Sequence, residues 1–255
     1  MFAHDRHRLI LDALKKRASL GIAEIGKMLA ASPATVRRDL VFLEKAGKIV
    51  RAHGAAVHPA RVNGEVSFDR RSRAAIRAKT AIAGAAAALV REGDAVFVDG
   101  GSTTFEAGRR LLAVPGIILF TNSIPLLAER PAAEGARLVS IGGEVRAVSR
   151  ALVGAGAVEW AGRLSPDIAF LGASGIDLEN GPCTTELFEA GVKRAVAARA
   201  RRVALLADAS KWARPAAVRY ADWAQIHDVF TDRRPAGTVR ALLARHGVRL
   251  HVVRA

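Results

Sequence analysis

Two short constellations of side chains have the types and spacing to do chemistry. The first is Ser32-Pro33-Ala34-Thr35-Val36-Arg37-Arg38-Asp39-Leu40. A pair of guanidinium groups on the outward side of a helix can pair bidentately with base edges or phosphate oxygens of a duplex, with Ser32 and Thr35 adding hydroxyls near the helix start. The second is Asp99-Gly100-Gly101-Ser102-Thr103-Thr104. Placed between a strand and a helix, its backbone N–H groups and hydroxyls converge on one point, which makes an anion cradle. Lys211 supplies an opposing charge, and Asp99, Asn122 and Glu189 are available to sugar hydroxyls. The run is neither a Walker sequence nor a dinucleotide fingerprint. Taken alone, a Gly-Ser-Thr turn is as good a structural cap as a phosphate site.

The elements that must position the first constellation are legible around it. Ser32 suits an N-cap and Pro33 the first helical position, where its missing N–H is harmless. Val36, Leu40 and Leu43 share one face, and Gly47 closes the helix. Upstream, Leu9, Ile10, Ala13 and Leu14 form an apolar stripe over a helix from about Asp5 to Lys16. Ile22, Ile25 and Leu29 mark a shorter helix after Gly21. Downstream, Lys48 to Arg51 and Ala55 to Val57 can pair across His53-Gly54. The sum is a winged helix-turn-helix, which presents its recognition helix to the major groove and its wing, here Lys48, Arg51 and His53, to the backbone. Asp39 is repelled by phosphates and is expected to orient an arginine instead.

Charge agrees with that assignment. Of the formal +15, residues 1–58 carry +6, residues 59–79 carry +4 and the remaining 176 carry only +5. Positive charge concentrated in one segment is the footprint of a module that neutralises phosphates. A hydrophobic content of 51% excludes disorder, and the single cysteine, Cys183, excludes a disulfide framework within the chain. Met1 to Leu11 has no signal-peptide pattern, and the most apolar stretch, Thr80 to Val90, is too short to span a bilayer. A cytoplasmic protein is expected. The seven histidines have no metal-ligand spacing. Neither a metal nor a cofactor is expected, and Trp160, Trp212 and Trp223 read as core or interface residues.

Residues 58–78 hold Pro59, Gly64 and the basic run Arg70-Arg71-Ser72-Arg73, and read as a linker with some helix toward its end. From Lys79 the pattern changes to short apolar runs, each ending in small or polar residues. Ala95–Val98 runs into Asp99-Gly100-Gly101, Ile117–Phe120 into Thr121-Asn122-Ser123, and Leu138–Ile141 into Gly142-Gly143. Ile168–Leu171 runs into Gly172-Ala173-Ser174, Val203–Leu206 into Asp208-Ala209-Ser210-Lys211, and Val229-Phe230 into Thr231-Asp232. Runs of this kind are strands buried on both faces of a mostly parallel sheet covered by helices, so the class is α/β. Ligands in such sheets bind beyond the carboxyl ends of the strands, where all these polar clusters fall.

Residues 6–57 resemble the DNA-binding domain of the DeoR family of bacterial transcription regulators. The carrying residues are Arg8-Leu9-Ile10-Leu11, Glu24-Ile25, Ser32, Thr35-Val36-Arg37-Arg38-Asp39-Leu40, Leu43-Glu44, Gly47 and Arg51-Ala52-His53-Gly54-Ala55. Two departures, Ala31 for a β-branched residue and Ala55 for a second glycine, touch packing and the wing tip. The second half is similar to the effector domain of the same family, through Asp99-Gly100-Gly101-Ser102-Thr103, Thr121-Asn122-Ser123, Gly142-Gly143, Gly154, Asp167, Gly172, Gly175-Ile176-Asp177, Glu189, Lys193 and Asp208-Ala209-Ser210-Lys211. The resemblance implies a fold related to ribose-5-phosphate isomerases and CoA transferases. It also implies an oligomeric repressor of a carbohydrate-use operon that senses a phosphorylated sugar or related metabolite through Ser102, Thr103, Asn122, Ser123 and Lys211.

The alternative is a sugar-phosphate isomerase-like enzyme with a DNA-binding appendage. Isomerases of that fold carry an Asp-Gly-Ala-Asp pattern after the central strand, where this chain has Leu171-Gly172-Ala173-Ser174. Serine cannot act as the carboxylate base that proton abstraction requires at neutral pH, so no catalytic residue is expected. The expected organisation is therefore a DNA-binding domain over 1–57, a linker over 58–78 and an effector-binding domain over 79–255. Its effector set is Asp99, Gly101, Ser102, Thr103, Thr104, Asn122, Ser123, Glu189 and Lys211, and its partners are double-stranded operator DNA, the metabolite and further copies of the chain, as a dimer or tetramer.

Overall fold

The computed structural model describes residues 2–16, 19–46, 48–52, 55–57 and 66–254. It divides into two compact units, Met1–Ser67 and Phe68–Ala255. Gly47, His53, Gly54 and residues 58–65 lie outside the described residues, as does the side chain of Arg51.

The smaller unit runs α1 (Ala3–Lys16), β1 (Ser19–Gly21), α2 (Ile22–Leu29), α3 (Pro33–Lys45), β2 (Val50–Ala52) and β3 (Ala55–Val57). β3 lies between β1 and β2, antiparallel to both. The wing hairpin is thus widened by a strand that the sequence reading did not anticipate. Ile10 and Leu14 of α1, Ile25 and Leu29 of α2, and Val36, Leu40 and Leu43 of α3 enclose one core with Leu20, Ile49 and Ala56. Leu9 is 42% exposed, so the α1 stripe is narrower than its sequence suggests. Glu24 accepts the Gly21 N–H at 2.8 Å and fixes the start of α2.

The larger unit opens with α4 (Phe68–Arg73) and α5 (Ile76–Ala87). Residues 68–78, read from sequence as part of a linker, thus form α4 and the first turn of α5. A buried Phe68 packs edge-on against Phe105 at 5.7 Å between centroids, burial worth roughly 1.5–3 kcal/mol. Then come β4 (Ala95–Val98), α6 (Ser102–Leu111), β5 (Ile118–Thr121), α7 (Ile124–Leu127), β6 (Arg137–Ser140), β7 (Glu144–Arg146), β8 (Ala151–Val153) and α8 (Gly154–Arg163). After β9 (Ile168–Gly172) follow β10 (Gly175–Asp177), β11 (Gly181–Thr184), α9 (Leu187–Ala197), β12 (Arg202–Leu206), β13 (Val218–Arg219), β14 (Asp228–Thr231), α10 (Gly237–Arg245) and β15 (Arg249–Val252).

Seven of these strands form one parallel sheet in the order β15-β14-β12-β9-β4-β5-β6. Side chains alternate along each strand. Val96, Val98, Phe170 and Leu206 pack on one face with Ile82 and Ala86 of α5, Leu111 of α6 and Leu126 of α7. Phe97, Ala169, Leu171 and Leu205 pack on the other with Ala157 of α8, Val192 of α9 and Leu243 of α10. The chain fills the sheet outward from β4 to β6, then returns to the other side of β4 at β9 and continues outward to β15. The order therefore reverses between β4 and β9, and in open α/β sheets the crevice at the carboxyl ends of such a strand pair is where ligands bind.

Candidate functional site

On α3 the local chemistry is that of a capped helix start. Ser32 Oγ accepts the Thr35 N–H at 3.2 Å and lies 2.9 Å from the Thr35 hydroxyl. Val36 and Leu40 anchor the helix, which leaves Arg37 and Arg38 exposed on the opposite side and Thr35 half-buried. Asp39 turns inward and is buried. Its carboxylate accepts two hydrogen bonds from Arg6, at 2.7 and 2.9 Å, and lies 3.0 Å from His7 Nε2. Burial raises its pKa, but the bonds from Arg6 and His7 outweigh that, and the carboxyl sits below its ordinary range. His7 in turn stacks on Phe42 at 4.8 Å. The α1–α3 crossing is thus locked by the Arg6–Asp39–His7 cluster behind the exposed face of α3, and Lys48 is exposed after the helix.

In the larger unit, the β4–β9 switch point is built around Asp99, which is 1% exposed. One carboxylate oxygen accepts the Gly101 N–H at 2.7 Å and the Thr104 hydroxyl at 2.5 Å. The other accepts the Gly172 N–H at 2.8 Å and the Lys193 ammonium, which also donates to the Gly172 carbonyl at 3.0 Å. Asp99 thereby ties the end of β4, the first turn of α6, the end of β9 and α9 into one knot. Gly101 is required by that knot, since a Cβ there would lie 2.8 Å from both Asp99 Oδ1 and Thr104 Oγ1. Burial, with the Arg71 charge, draws the Lys193 ammonium down from the usual lysine range, against the pull of the carboxylate it touches.

Over this knot lies the start of α6, with no side-chain cap on its N-cap residue Gly101. The buried Ser102 and Thr103 stand in this first turn, at the carboxyl end of the sheet. Asn122, at the end of β5, is 4% exposed. Its Nδ2 donates to the Leu152 carbonyl at 3.0 Å, which fixes the amide, while its buried Oδ1 has no partner and lies 3.8 Å from where a Gly100 Cβ would be. A buried acceptor left open is a place for a donor to bind. Ser123 instead caps α7 by accepting the Leu126 N–H at 3.4 Å.

Cations gather at the same end. α5 leads through a short loop into the amino end of β4, so its own start lies at the carboxyl edge of the sheet. Lys79 there is 4% exposed, and its ammonium donates to the Arg71 carbonyl of α4. Burial lowers the Lys79 ammonium to about 8; the Asp208 carboxylate opposes that shift, while the Lys211 and Arg71 charges add to it. Asp208 closes a 3₁₀ turn by accepting the Ser210 N–H at 2.9 Å, and so presents the half-buried Lys211. Trp212 follows, donating to Thr231 Oγ1 at 3.2 Å and stacking on Trp223.

The structure sets Gly101 to Thr104, Asn122, Ser123 and Lys211 just beyond the carboxyl ends of β4, β5 and β12, and it engages two carboxylates of the expected ligand set with protein partners. Asp99 is fully engaged by protein donors. Glu189 lies on α9, its two oxygens taken by Thr184 Oγ1 and Arg146 Nη1 at 3.0 Å each. The sequence reading missed Lys79, Arg71 and Lys193 as members of the charged group. Arg71 belongs to the basic run of the expected linker, and the buried lysines carry no local signature beyond their position on apolar helices. The described residues contain no group of three or more His, Cys, Asp or Glu side chains able to hold a metal, and no helix long and apolar enough to cross a membrane.

Comparison with known proteins matches residues 6–62 to a family described as DeoR-like helix-turn-helix domain and residues 74–233 to one described as DeoR C terminal sensor domain. The HTH-type transcriptional regulator GlpR of Haloferax volcanii is 34% identical over 91% of each chain. The HTH-type transcriptional repressor GlcR of Bacillus subtilis is 32% identical over 99% of this chain and 97% of its own. The Glycerol-3-phosphate regulon repressor of Escherichia coli is 28% identical over 97% of this chain and 98% of its own. All three are named as regulators or repressors. Ribose 5-phosphate isomerase A from Methanocaldococcus jannaschii aligns over 53% of this chain and 54% of its own, at 19% identity and a TM-score of 0.37, a likeness too distant to bear on function.

Proposed function

The chain belongs to the DeoR family of DNA-binding transcription regulators, and we propose that this member is a repressor of a carbohydrate-use operon, released by a phosphorylated sugar or related metabolite bound at the β4–β9 switch point. Residues 1–57 carry the DNA contacts, with Arg37, Arg38 and Thr35 meeting base edges or nearby phosphates and Lys48, Arg51 and His53 meeting the backbone. Residues 79–255, extended by α4, hold the metabolite. The phosphate sits on the first turn of α6, with Ser102 and Thr103 as donors and Lys211 as counter-charge. Asn122 accepts from a hydroxyl of the carbon chain, while Asp99, Thr104 and Glu189 hold the crevice in shape. A single recognition helix reads few base pairs, so the repressor works as a homo-oligomer over spaced half-sites, in the cytoplasm where operator DNA is found.

The ligand reading is supported by three features at the carboxyl end of the sheet: an uncapped helix start at α6, the cations Lys79 and Lys211, and the unpartnered Oδ1 of Asn122. An anion and a hydroxyl on one small molecule answer both needs. A relative named for a glycerol-3-phosphate regulon supports a phosphorylated ligand. Thermal unfolding against a panel of sugar phosphates and glycerol 3-phosphate tests it. At least one compound should raise the transition temperature in a concentration-dependent way, and the rise should vanish in Lys211→Ala. Silence across the panel would sink the reading.

A further inference from the structure

We propose that Ala34 and Val41 read thymine methyl groups on either side of a guanine read by Arg38, so that the core of the operator half-site is written in guanine and thymine. The inference rests on α3 being the helix that enters the major groove, and it names the bases that this helix can read.

What an inserted helix can read is set by the side chains on its outer face. From Pro33 to Phe42 the exposed side chains are Pro33, Ala34, Arg37, Arg38, Val41 and Phe42. Thr35 is half-buried with its hydroxyl 2.9 Å from Ser32 Oγ, and Asp39 is committed to Arg6. Val36, Leu40 and Leu43 belong to the core. Phe42 is accounted for by its stacking on His7. With about 3.6 residues per turn, Ala34, Arg38 and Val41 fall at i, i+4 and i+7 on one line, opposite those three core residues. Arg37 lies on the flank of that line, on the same side as Glu44 of the last turn.

Each base pair shows the major groove a different set of groups. Guanine offers two acceptors, O6 and N7, to a guanidinium. Adenine calls for an amide side chain and cytosine for a carboxylate, while thymine alone presents a methyl group. The line of Ala34, Arg38 and Val41 holds one guanidinium and two apolar side chains, with no amide and no carboxylate. It therefore matches guanine and thymine, and specifies cytosine and adenine only through their pairing partners. Water gives no reason for a valine at this place. Val41 is 38% exposed, takes no part in the core of its unit, and is a poorer helix former than the lysine or glutamine that a solvated position favours. A thymine methyl seated on it removes both apolar surfaces from water. Along the helix axis Ala34 stands about 6 Å before Arg38 and Val41 about 4.5 Å after it. For a helix lying along the groove, those intervals are one to two base steps of about 3.4 Å, which sets the thymines within two steps of the guanine.

Replacing thymine by uracil removes the methyl and keeps the base pair, so it isolates the contact. The full chain is titrated by fluorescence anisotropy, at one salt concentration, against operator duplex selected from a random pool with each half-site thymine replaced in turn. The guanine is identified as the base whose replacement stops costing affinity in Arg38→Ala. On each side of it, one thymine should lose about two- to fourfold in affinity on replacement, the worth of burying one methyl. Val41→Ala should bring that loss below about 1.5-fold at one of these thymines and Ala34→Gly at the other, each variant keeping the parent's loss at the remaining one. A half-site with no thymine within two steps of the guanine overturns the inference. So does uracil that binds like thymine at every position, or a loss that survives in both variants. If the Arg37→Ala, Arg38→Ala double variant still fails to bind in those cases, the recognition-helix reading stands without this refinement; unchanged binding in the double variant overturns both.

Discussion

Arg37, Arg38 and Asp39 are consecutive, yet the helix sends them to opposite fates. The two arginines face outward and are exposed, whereas Asp39 faces the core and is held by Arg6 and His7. A carboxylate left on the outer face would cancel part of the positive charge that its two neighbours present there. Substitutions should therefore separate binding from stability. Arg37→Ala and Arg38→Ala should each weaken operator binding by about 1–3 kcal/mol if they pair with bases, or lower the salt slope by about one unit if they meet phosphates. Both should leave urea unfolding within about 0.5 kcal/mol of the parent. Asp39→Asn should do the reverse at moderate salt, destabilising the chain by about 1–3 kcal/mol through the lost charged hydrogen bonds. Operator titrations by fluorescence anisotropy beside urea curves separate the two classes, and an Arg37→Ala, Arg38→Ala double variant with unchanged binding would remove α3 from the interface.

At the scale of elements, the turn between α2 and α3 shows a correctable strain. Ala30 sits at a φ of 48°, a left-handed conformation that disfavours a residue with a Cβ and suits glycine. Ala30→Gly should raise the stability of the smaller unit by up to about 1 kcal/mol, read as a higher urea midpoint with unchanged slope. The amino ends of β12, β14 and β15 carry the opposite kind of feature. Asp228 is fully buried there and accepts from Arg202 at 2.6 and 2.9 Å, from Arg249 at 3.0 and 3.1 Å, and lies 2.8 Å from His251. Burial pushes this carboxyl up, but the three donors hold it well below the usual carboxylate range. Its folded pKa is thus below its unfolded one near 3.9, so its contribution is full above about pH 4–5 and is lost as pH falls through the folded value. Acid unfolding should accordingly steepen below pH 4, and Asp228→Asn should flatten that limb while lowering stability at pH 7 by about 2–4 kcal/mol.

That cluster also marks where sequence reading stops. Six strands of the sheet were legible because each is an apolar run closed by small polar residues, and α3 because its cap, proline and apolar spacing agree. β15 was not, since as an edge strand Arg249-Leu250-His251-Val252 alternates polar with apolar side chains and only its pairing with β14 explains it. The short antiparallel ribbons β7–β8 and β10–β11–β13 are two to four residues per strand, below the length at which periodicity shows. At the carboxyl end of the sheet, residue types singled out the Gly-Ser-Thr turn and Lys211 as candidates. Sequence could not tell that Asp99 is consumed by four protein donors, because that depends on Gly172 and Lys193, 73 and 94 positions away.

For the molecule as a whole, the two activities are joined by thermodynamics whatever the route between them. Positive charge is concentrated in the first 79 residues, which hold +10 of the formal +15. Operator affinity should therefore fall linearly on a log–log plot against salt, and every comparison of ligand effects must be made at one ionic strength. Under that condition, a ligand that weakens operator binding by some factor must itself be bound more weakly by the operator complex, and by the same factor. Coupling of this kind is typically about 5–150-fold. The check uses operator duplex selected from a random pool. Its affinity is titrated with and without saturating glycerol 3-phosphate or whichever panel compound stabilises the chain, and the ligand is titrated calorimetrically with and without saturating duplex. Equal ratios are expected. If the duplex leaves ligand affinity unchanged while the ligand still displaces the protein, the crevice is not the regulatory input, and the metabolite acts instead by competing at the DNA surface or by changing the number of copies that assemble.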